Sequence, residues 1–339
     1  MSKKISHTLV GGRAVAGTGG QTLKIGEQGR LHWMDIDEES LIPLTWYGGT
    51  AVFGGGDGAT SGEIIDYLTM ATTGNATDFG NLLSIAHYFD SCSNGSRIIF
   101  TGGWDNTSST SHNRIQYITV ASTSNATDFG DLPAGTAGCA SVSDGTRGVI
   151  GGGGNTSPLS TNVISYVTMD TISNATDFGD LTVVKSKPSA CSDGTKGVWL
   201  GGSVDVSTMQ DVIDYVTIST TSNATDFGNL SSGRQSAAAC SDDTRGINGG
   251  GYNGSVYINV LEYITIGTLS NSTDFGDFSA TVELPGACSD GTKGLWAHGL
   301  SDGSTSNIIE YVTMQTTSNA TDFGDLTVAR YSPTASSGD

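Results

Sequence analysis

The nine residues SNATDFGDL at 124–132 recur five more times with almost no change: GNATDFGNL at 74–82, SNATDFGDL at 173–181, SNATDFGNL at 222–230, SNSTDFGDF at 270–278 and SNATDFGDL at 318–326. Their phenylalanines, Phe79, Phe129, Phe178, Phe227, Phe275 and Phe323, stand 50, 49, 49, 48 and 48 residues apart. A period with so little slack means one supersecondary unit copied in tandem. A length of 339 residues would otherwise suggest about two domains, but repeat proteins are counted in repeats.

Glycine is abundant, at 49 of 339 residues, and lysine and arginine together number only 15 against 34 acids. The first suggests short strands and many turns. The resulting formal charge of −19 excludes a nucleic-acid surface, which needs a basic stripe, and disfavours anionic membranes. No apolar run approaches the roughly 20 residues of a membrane span, and the N-terminal MSKKISHTLVGG lacks the apolar core of a secretory signal. The expectation is a chain made and folded in a cytosol. Cys92, Cys139, Cys191, Cys240 and Cys288 fall about one per repeat, with Ser336 as the sixth equivalent, which suits a small buried side chain better than a disulfide or zinc framework.

Within one repeat, taken at 185–230, PSACS is a small-residue strand and DGT a tight hairpin turn. KGVWLGG is a second strand ending on glycines, VIDYVTIST alternates with period 2, and a fourth strand begins near Phe227. Helix signals are absent. Four antiparallel strands every ~50 residues predict a β-propeller blade. The order of features resembles the kelch repeat over about 46–339. The glycine pairs Gly102-Gly103, Gly151-Gly152, Gly201-Gly202 and Gly249-Gly250 match that pattern, as do Tyr67, Tyr117, Tyr166, Tyr215, Tyr263 and Tyr311, with the Phe of TDFG where kelch repeats usually carry Trp. SNATDFGDL together with ACSDGTKGV (190–198) is also similar to tandem repeats in virion structural proteins of marine and cyanobacterial tailed phages.

The expected fold is therefore all-β: a six-bladed kelch-like propeller over 46–339, preceded by a short N-terminal β or irregular arm at 1–45. The chain ends RYSPTASSGD, which aligns with KSKPSACSDG and stops at the hairpin turn. The expectation is that 330–337 closes the blade begun at Thr50; the competing reading gives that strand to LIPLTW at 41–46.

Six near-identical copies point to a structural joint. Asn and Asp of NATDFG suit Asx-type turns, Phe a plug between blades, and Gly a positive φ. Calcium ligation by Asp128, Asp131 and their equivalents is the alternative, but the EF-hand spacing and its terminal Glu are missing, and residues 81 and 229 are Asn. Catalysis finds no support. SDGTKGVW (192–199) lacks two spacers of the sialidase Asp-box, the cysteines sit in repeat slots, and His7, His32, His87, His112 and His298 show no metal-ligand spacing. No catalytic residue, metal site or cofactor is assigned.

Function is then sought in what differs between repeats. The connections from second to third strand and from fourth strand to the next blade vary, and they bring Trp104, His112, Tyr252, Tyr257, His87 and Tyr88 to one face as candidate sugar-contacting residues. Fifteen of the 34 acids belong to the TDFG and SDGT turns of the opposite face, where Arg97, Arg147, Lys196, Arg245 and Lys293 are expected to form exposed ion pairs. Residues 1–45 carry five of the 15 basic residues, Lys3, Lys4, Arg13, Lys24 and Arg30, and are too short for a core of their own. The phage resemblance implies a non-enzymatic virion protein assembled in the host cytoplasm. It would be a tail-fibre, baseplate or capsid-decoration component, joined to other virion proteins through 1–45 and meeting host-surface glycan through the variable loops. A soluble glycan-binding lectin with no virion role is the alternative.

Overall fold

The computed structural model describes residues 46–58, 62–106, 108–155, 160–205 and 207–339, and the backbone of four strands nearer the N-terminus. The chain divides into two compact units, Met1–Leu44 and Thr45–Asp339. In the first, His7–Val10, Arg13–Ala16, Gln21–Ile25 and Leu31–Asp35 pair in sequence order as one antiparallel sheet. The side chains of its basic residues lie outside the described residues, as does the 41–45 part of the competing closing strand.

The second unit is an all-β propeller. Its repeating element is an antiparallel sheet such as Ser189–Ser192, Lys196–Leu200, Val212–Thr217 and Thr225–Asn229, paired in that order. Three further four-stranded sheets share this topology, and a nine-stranded sheet runs across the last two repeats. They merge because Leu300–Ser301 pairs with both Thr273–Glu283 and Ser304–Thr313. The sheet begun by Thr50–Gly54 takes its inner strand from Thr334–Gly338, so the C-terminal segment fills that place. The strand starts later than the expected 330, because Arg330 ends the outer strand Thr321–Arg330 of the preceding repeat.

The repeated nonapeptide is a clip between successive repeats. Asn125 Oδ1 accepts the backbone N–H of Asn81 at 3.0 Å, and Ala126 N–H returns a bond to the carbonyl of Asn81 at 2.8 Å. The same pair of bonds joins Asn174 and Ala175 to Asp131, Asn223 and Ala224 to Asp180, Asn271 and Ser272 to Asn229, and Asn319 and Ala320 to Asp277. Asn75 and Ala76 grip Asp325 likewise, which ties the last repeat to the first. Glycine is obligatory beside the clip: Gly179 has φ 149°, and a Cβ there would sit 2.4 Å from the carbonyl oxygen of Ser222 in the next clip.

The hydrophobic core lies between repeats. One cluster joins Val142, Val149, Ile164, Phe178 and Leu181 of one repeat to Trp199, Val216 and Ile218 of the next. Phe178 is 2 % exposed and meets the Tyr166 ring edge-on at 5.8 Å. Arg147 lies over that Tyr at 4.9 Å and donates to the carbonyl of Ile218 at 3.1 Å. Arg97, Lys196, Arg245 and Lys293 reach the carbonyls of Met169, Ile266, Met314 and Met70 in the same way. The recurring cations are thus cross-repeat donors, not members of the exposed ion pairs expected on the acidic face; the hairpin aspartates turn inward instead, as Asp193 does in accepting Thr195 and Lys196 N–H.

Two sequence alignments need correction. Cys92, Cys191, Cys240 and Cys288 pair with Ile99, Val198, Ile247 and Leu295, but the residue paired with Val149 is Val142, so Cys139 lies three residues off the repeat slot. The slot wants a small side chain because it faces a glycine of the next repeat: a Cβ on Gly246 would lie 2.5 Å from Cys191 Sγ. Similarly, the left-handed glycine pairs are Gly152-Gly153 and Gly250-Gly251, one residue beyond those assigned from the sequence, whereas Gly102-Gly103 and Gly201-Gly202 stand as assigned.

Buried ion pairs bridge several of the joints: Lys185–Asp214 at 3.1 Å, Arg234–Glu262 at 2.5 Å and Arg330–Asp66 at 2.9 Å. At the corresponding register Thr136 and Ser165 are uncharged, and a cavity of ≈ 240 Å³ opens there between Leu132, Ile150 and Val163. Ser165→Asp alone should cost about 3 kcal/mol by burying an unpaired charge, and adding Thr136→Lys should recover most of it; chemical denaturation of both variants checks this. Deleting 334–339 exposes the Thr50–Gly54 edge and should lower the melting temperature by roughly 10 °C or more; an unchanged melting curve would refute the role given to this strand.

Candidate functional site

The inner strands Asp90–Ser93, Ala137–Ser143, Ser189–Ser192, Ala238–Ser241, Gly286–Ser289 and Thr334–Gly338 are rich in Ser, Ala, Cys and Gly. All six contribute to the walls of one cavity of ≈ 150 Å³. At its hairpin end stand Trp46, against Gly194, and Tyr47, against Gly291. The two rings meet edge-on at 5.4 Å, and Tyr47 donates to Asp243 at 3.0 Å. Burial and that carboxylate push the Tyr47 hydroxyl up to about 12.

The other end is bordered by Tyr88, Gly138, Lys187, Ser236, Leu284 and Ser332. Each precedes its cysteine-slot residue by four positions, and all have left-handed backbone, with φ of 53°, 66°, 52°, 59°, 56° and 56°. Only one is glycine. For the other five this conformation costs on the order of 1 kcal/mol each, and it persists because neighbouring repeats hold it. Gly138 N–H donates to Tyr88 O at 2.6 Å, Lys187 to Gly138 at 2.7 Å, Ser236 to Lys187 at 3.0 Å and Leu284 to Ser236 at 2.9 Å. Tyr88 N–H donates to Ser332 Oγ at 2.9 Å. One backbone geometry therefore presents an aromatic, a cation, two hydroxyls and an aliphatic group around a single mouth.

Of the six candidate sugar-contacting residues, Tyr88 lines this cavity, whereas Trp104, His112, Tyr252, Tyr257 and His87 do not. Tyr88 is at the mouth, with the Lys187 ammonium 4.1 Å from its ring centroid. His87 packs behind Tyr88 at 4.6 Å and is only 1 % exposed, so it supports the site without reaching solvent; burial, then Lys187, holds its imidazole below the usual range against the pull of Asp57 and Asp105. Trp104 bridges to His87 through the backbone, N–H to carbonyl in both directions, at 2.7 and 3.1 Å. His112 lies 3.9 Å from Asp105, on the Trp104–Asp105 hairpin. Tyr252 and Tyr257 meet at 5.5 Å with their rings tilted 58° to one another, and Tyr257 binds Glu283 through its hydroxyl.

The sequence reading missed Lys187, Glu283, Tyr331, Asp57 and Asp90. Tyr331 packs on His87 at 5.9 Å and donates to Asp57 at 2.6 Å. Asp90 lies in the cavity wall, accepting Ser141 N–H at 2.6 Å and the Thr334 hydroxyl at 2.9 Å, which fastens the closing strand to its neighbour. A usable signal existed: chemically unlike residues four places before each cysteine slot. Among the described residues no cluster of His, Cys, Asp and Glu is arranged to hold a metal. The surface offers hydroxyls, rings and a few charges, a set suited to binding polar ligands. No protein-family model and no curated protein matches this chain.

Burial raises the Asp90 carboxyl to about 6, outweighing the hydrogen bonds from Ser141, Ser91 and Thr334. Its folded value thus lies above its unfolded one, so the stability it contributes is fully present at low pH and is lost as pH rises through about 6. Thermal unfolding at pH 5 and pH 7 should show a loss in the native chain that is smaller in Asp90→Asn; equal losses would contradict this assignment.

Proposed function

We propose that this chain is a non-enzymatic structural protein of a tailed-phage virion: a six-bladed kelch-like propeller, carried on the particle by residues 1–45 and meeting host-surface glycan with its channel-mouth face. The observation that carries the recognition role is the left-handed register at the mouth, where one repeated backbone holds Tyr88, Gly138, Lys187, Ser236, Leu284 and Ser332. Scaffold positions repeat their residues because every joint needs the same packing; these positions do not. Strain held at varied positions on a rigid frame is characteristic of binding surfaces.

The virion role is supported by the similarity of SNATDFGDL and its companion ACSDGTKGV to repeats of phage structural proteins. The blade number is supported by the clips, which number six and return from Asn75 to Asp325. Assembly in the host cytoplasm, attachment of 1–45 to other virion proteins, and placement on tail fibre, baseplate or capsid belong to the same reading.

The chain should be found in purified particles by mass spectrometry, and antibodies to it should label intact virions. A chain lacking 1–45 should stay folded yet fail to join particles. Trp104→Ala or Tyr252→Ala should weaken glycan binding by about 1–3 kcal/mol, the scale of a lost aromatic contact. Absence of the chain from purified particles would overturn the virion role.

A further inference from the structure

Each repeat carries one buried polar side chain at the same point of its third strand. The strand register identifies the set: Asp66 opposite Phe53, Gln116 opposite Phe100, Ser165 opposite Ile150, Asp214 opposite Trp199, Glu262 opposite Asn248 and Glu310 opposite Trp296. Asp66, Asp214 and Glu262 are met by Arg330, Lys185 and Arg234, each seven residues after a clip phenylalanine. Gln116 accepts Leu83 N–H at 2.8 Å. Glu310 has Val282 at the cation's position and is met instead by His298, whose Nε2 lies 3.0 Å from its carboxylate. That imidazole is fully buried and lies edge-on to the Phe278 ring at 5.3 Å.

Ser165 is the short member of the set. Its repeat has Thr136 at the cation's position, Gly152 in place of His298 and Leu132 in place of Phe278. All four of these residues line the cavity of ≈ 240 Å³. The empty space therefore lies where the last repeat seats an aromatic ring between its phenylalanine, its second strand and its glutamate.

The walls select the guest. None of the lining residues is charged, so an ion entering would lose its hydration and gain no counter-charge. Pro133, Ile150 and Val163 extend the apolar wall, and Val163, 43 % exposed, gives the cavity an opening to solvent. The Thr136 hydroxyl already donates to the carbonyl of Ala134 at 3.0 Å, so toward a guest it accepts, whereas a serine hydroxyl can do either. In proteins generally an apolar cavity of about 150 Å³ accepts benzene. The larger volume here admits a six-membered ring with a polar substituent, or a fused bicycle.

We infer that the cavity between Leu132, Gly152 and Ser165 is a binding site for a small uncharged aromatic molecule carrying one hydrogen-bonding group. Phenol and indole are the simplest members of that class. The site shares no lining residue with the channel and does not rest on the glycan reading.

Other repeats supply the variants that close it. Thr136→Lys with Ser165→Asp introduces the pair that fills this space at Lys185–Asp214. Leu132→Phe introduces the ring carried at 278, and serves as the filling variant should the double substitution fail to fold by near-UV circular dichroism. The full chain is titrated with phenol, indole, benzoate and benzamidine, and binding is followed by saturation-transfer NMR and by the rise in melting temperature. Phenol and indole should bind the native chain with dissociation constants of about 1 mM or below, and filling the cavity should weaken both by at least about tenfold. If neither binds the native chain at several times that concentration, or if both bind the filled variants equally well, the site is refuted. If benzoate or benzamidine binds more tightly than phenol, with the same sensitivity to the variants, the cavity selects a charged guest and the assignment of an uncharged one is overturned.

Discussion

Everything in the propeller depends on an amide that its own repeat does not satisfy. The N–H of the residue after each TDFG finds its acceptor on the asparagine of the next clip, and the carbonyl of that residue is filled by the following repeat's Ala or Ser. Each such bond contributes only about 1 kcal/mol net, but leaving the groups unpaired costs more than making the bonds gains. A repeat is therefore incomplete until its neighbour is in place. The clip of Asn75 on Asp325 imposes that condition on the first and last repeats as well. The near-identity of the nonapeptides follows, since asparagine, glycine and phenylalanine each answer a geometric demand made by the adjoining repeat.

The same cross-repeat logic places the cations. Arg97, Arg147, Arg245 and Lys293 lie over the tyrosine of their own repeat and, like Lys196, donate to a carbonyl of the next, so a charged side chain serves as a long hydrogen-bonding strut. Their recurrence beside the hairpin aspartates suggests exposed ion pairs on the acidic rim, because that is the usual fate of a basic residue next to an aspartate. The aspartates were unavailable: their oxygens close the hairpin turns. Local turn chemistry outcompeted the Coulombic pairing, as expected where a surface pair is worth ~1 kcal/mol or less.

The repeat unit, its four antiparallel strands and the origin of the closing strand were legible because they rest on period, alternation and a missing partner strand, each visible in one dimension. The Cys139 misalignment shows where that reading stops. Cysteine was matched to cysteine, whereas the slot is defined by the glycine it faces, and valine fills it at 142. At the candidate site Tyr88 was legible as an aromatic residue in a variable connection, whereas Tyr252 and Tyr257, legible in the same way, do not line the cavity. Lys187 was not legible, because nothing in a sequence says that a lysine two places after the buried Lys185 takes a left-handed backbone and rests on the Tyr88 ring. His87 was legible as a histidine but not as a buried one.

The buried charges serve the joints between repeats. Where repeats must be held together, cation and carboxylate close to hydrogen-bonding distance, as in Lys185–Asp214 and Arg330–Asp66, with both side chains fully out of solvent. Closing is what offsets the desolvation of each ion, and a pair with one member missing would destabilise the joint. At the mouth, by contrast, the Lys187 ammonium rests on the ring of Tyr88 and closes no ion pair with a carboxylate among the described residues. The five non-glycine residues held left-handed around that mouth each carry a cost on the order of 1 kcal/mol, which the backbone bonds between neighbouring repeats sustain.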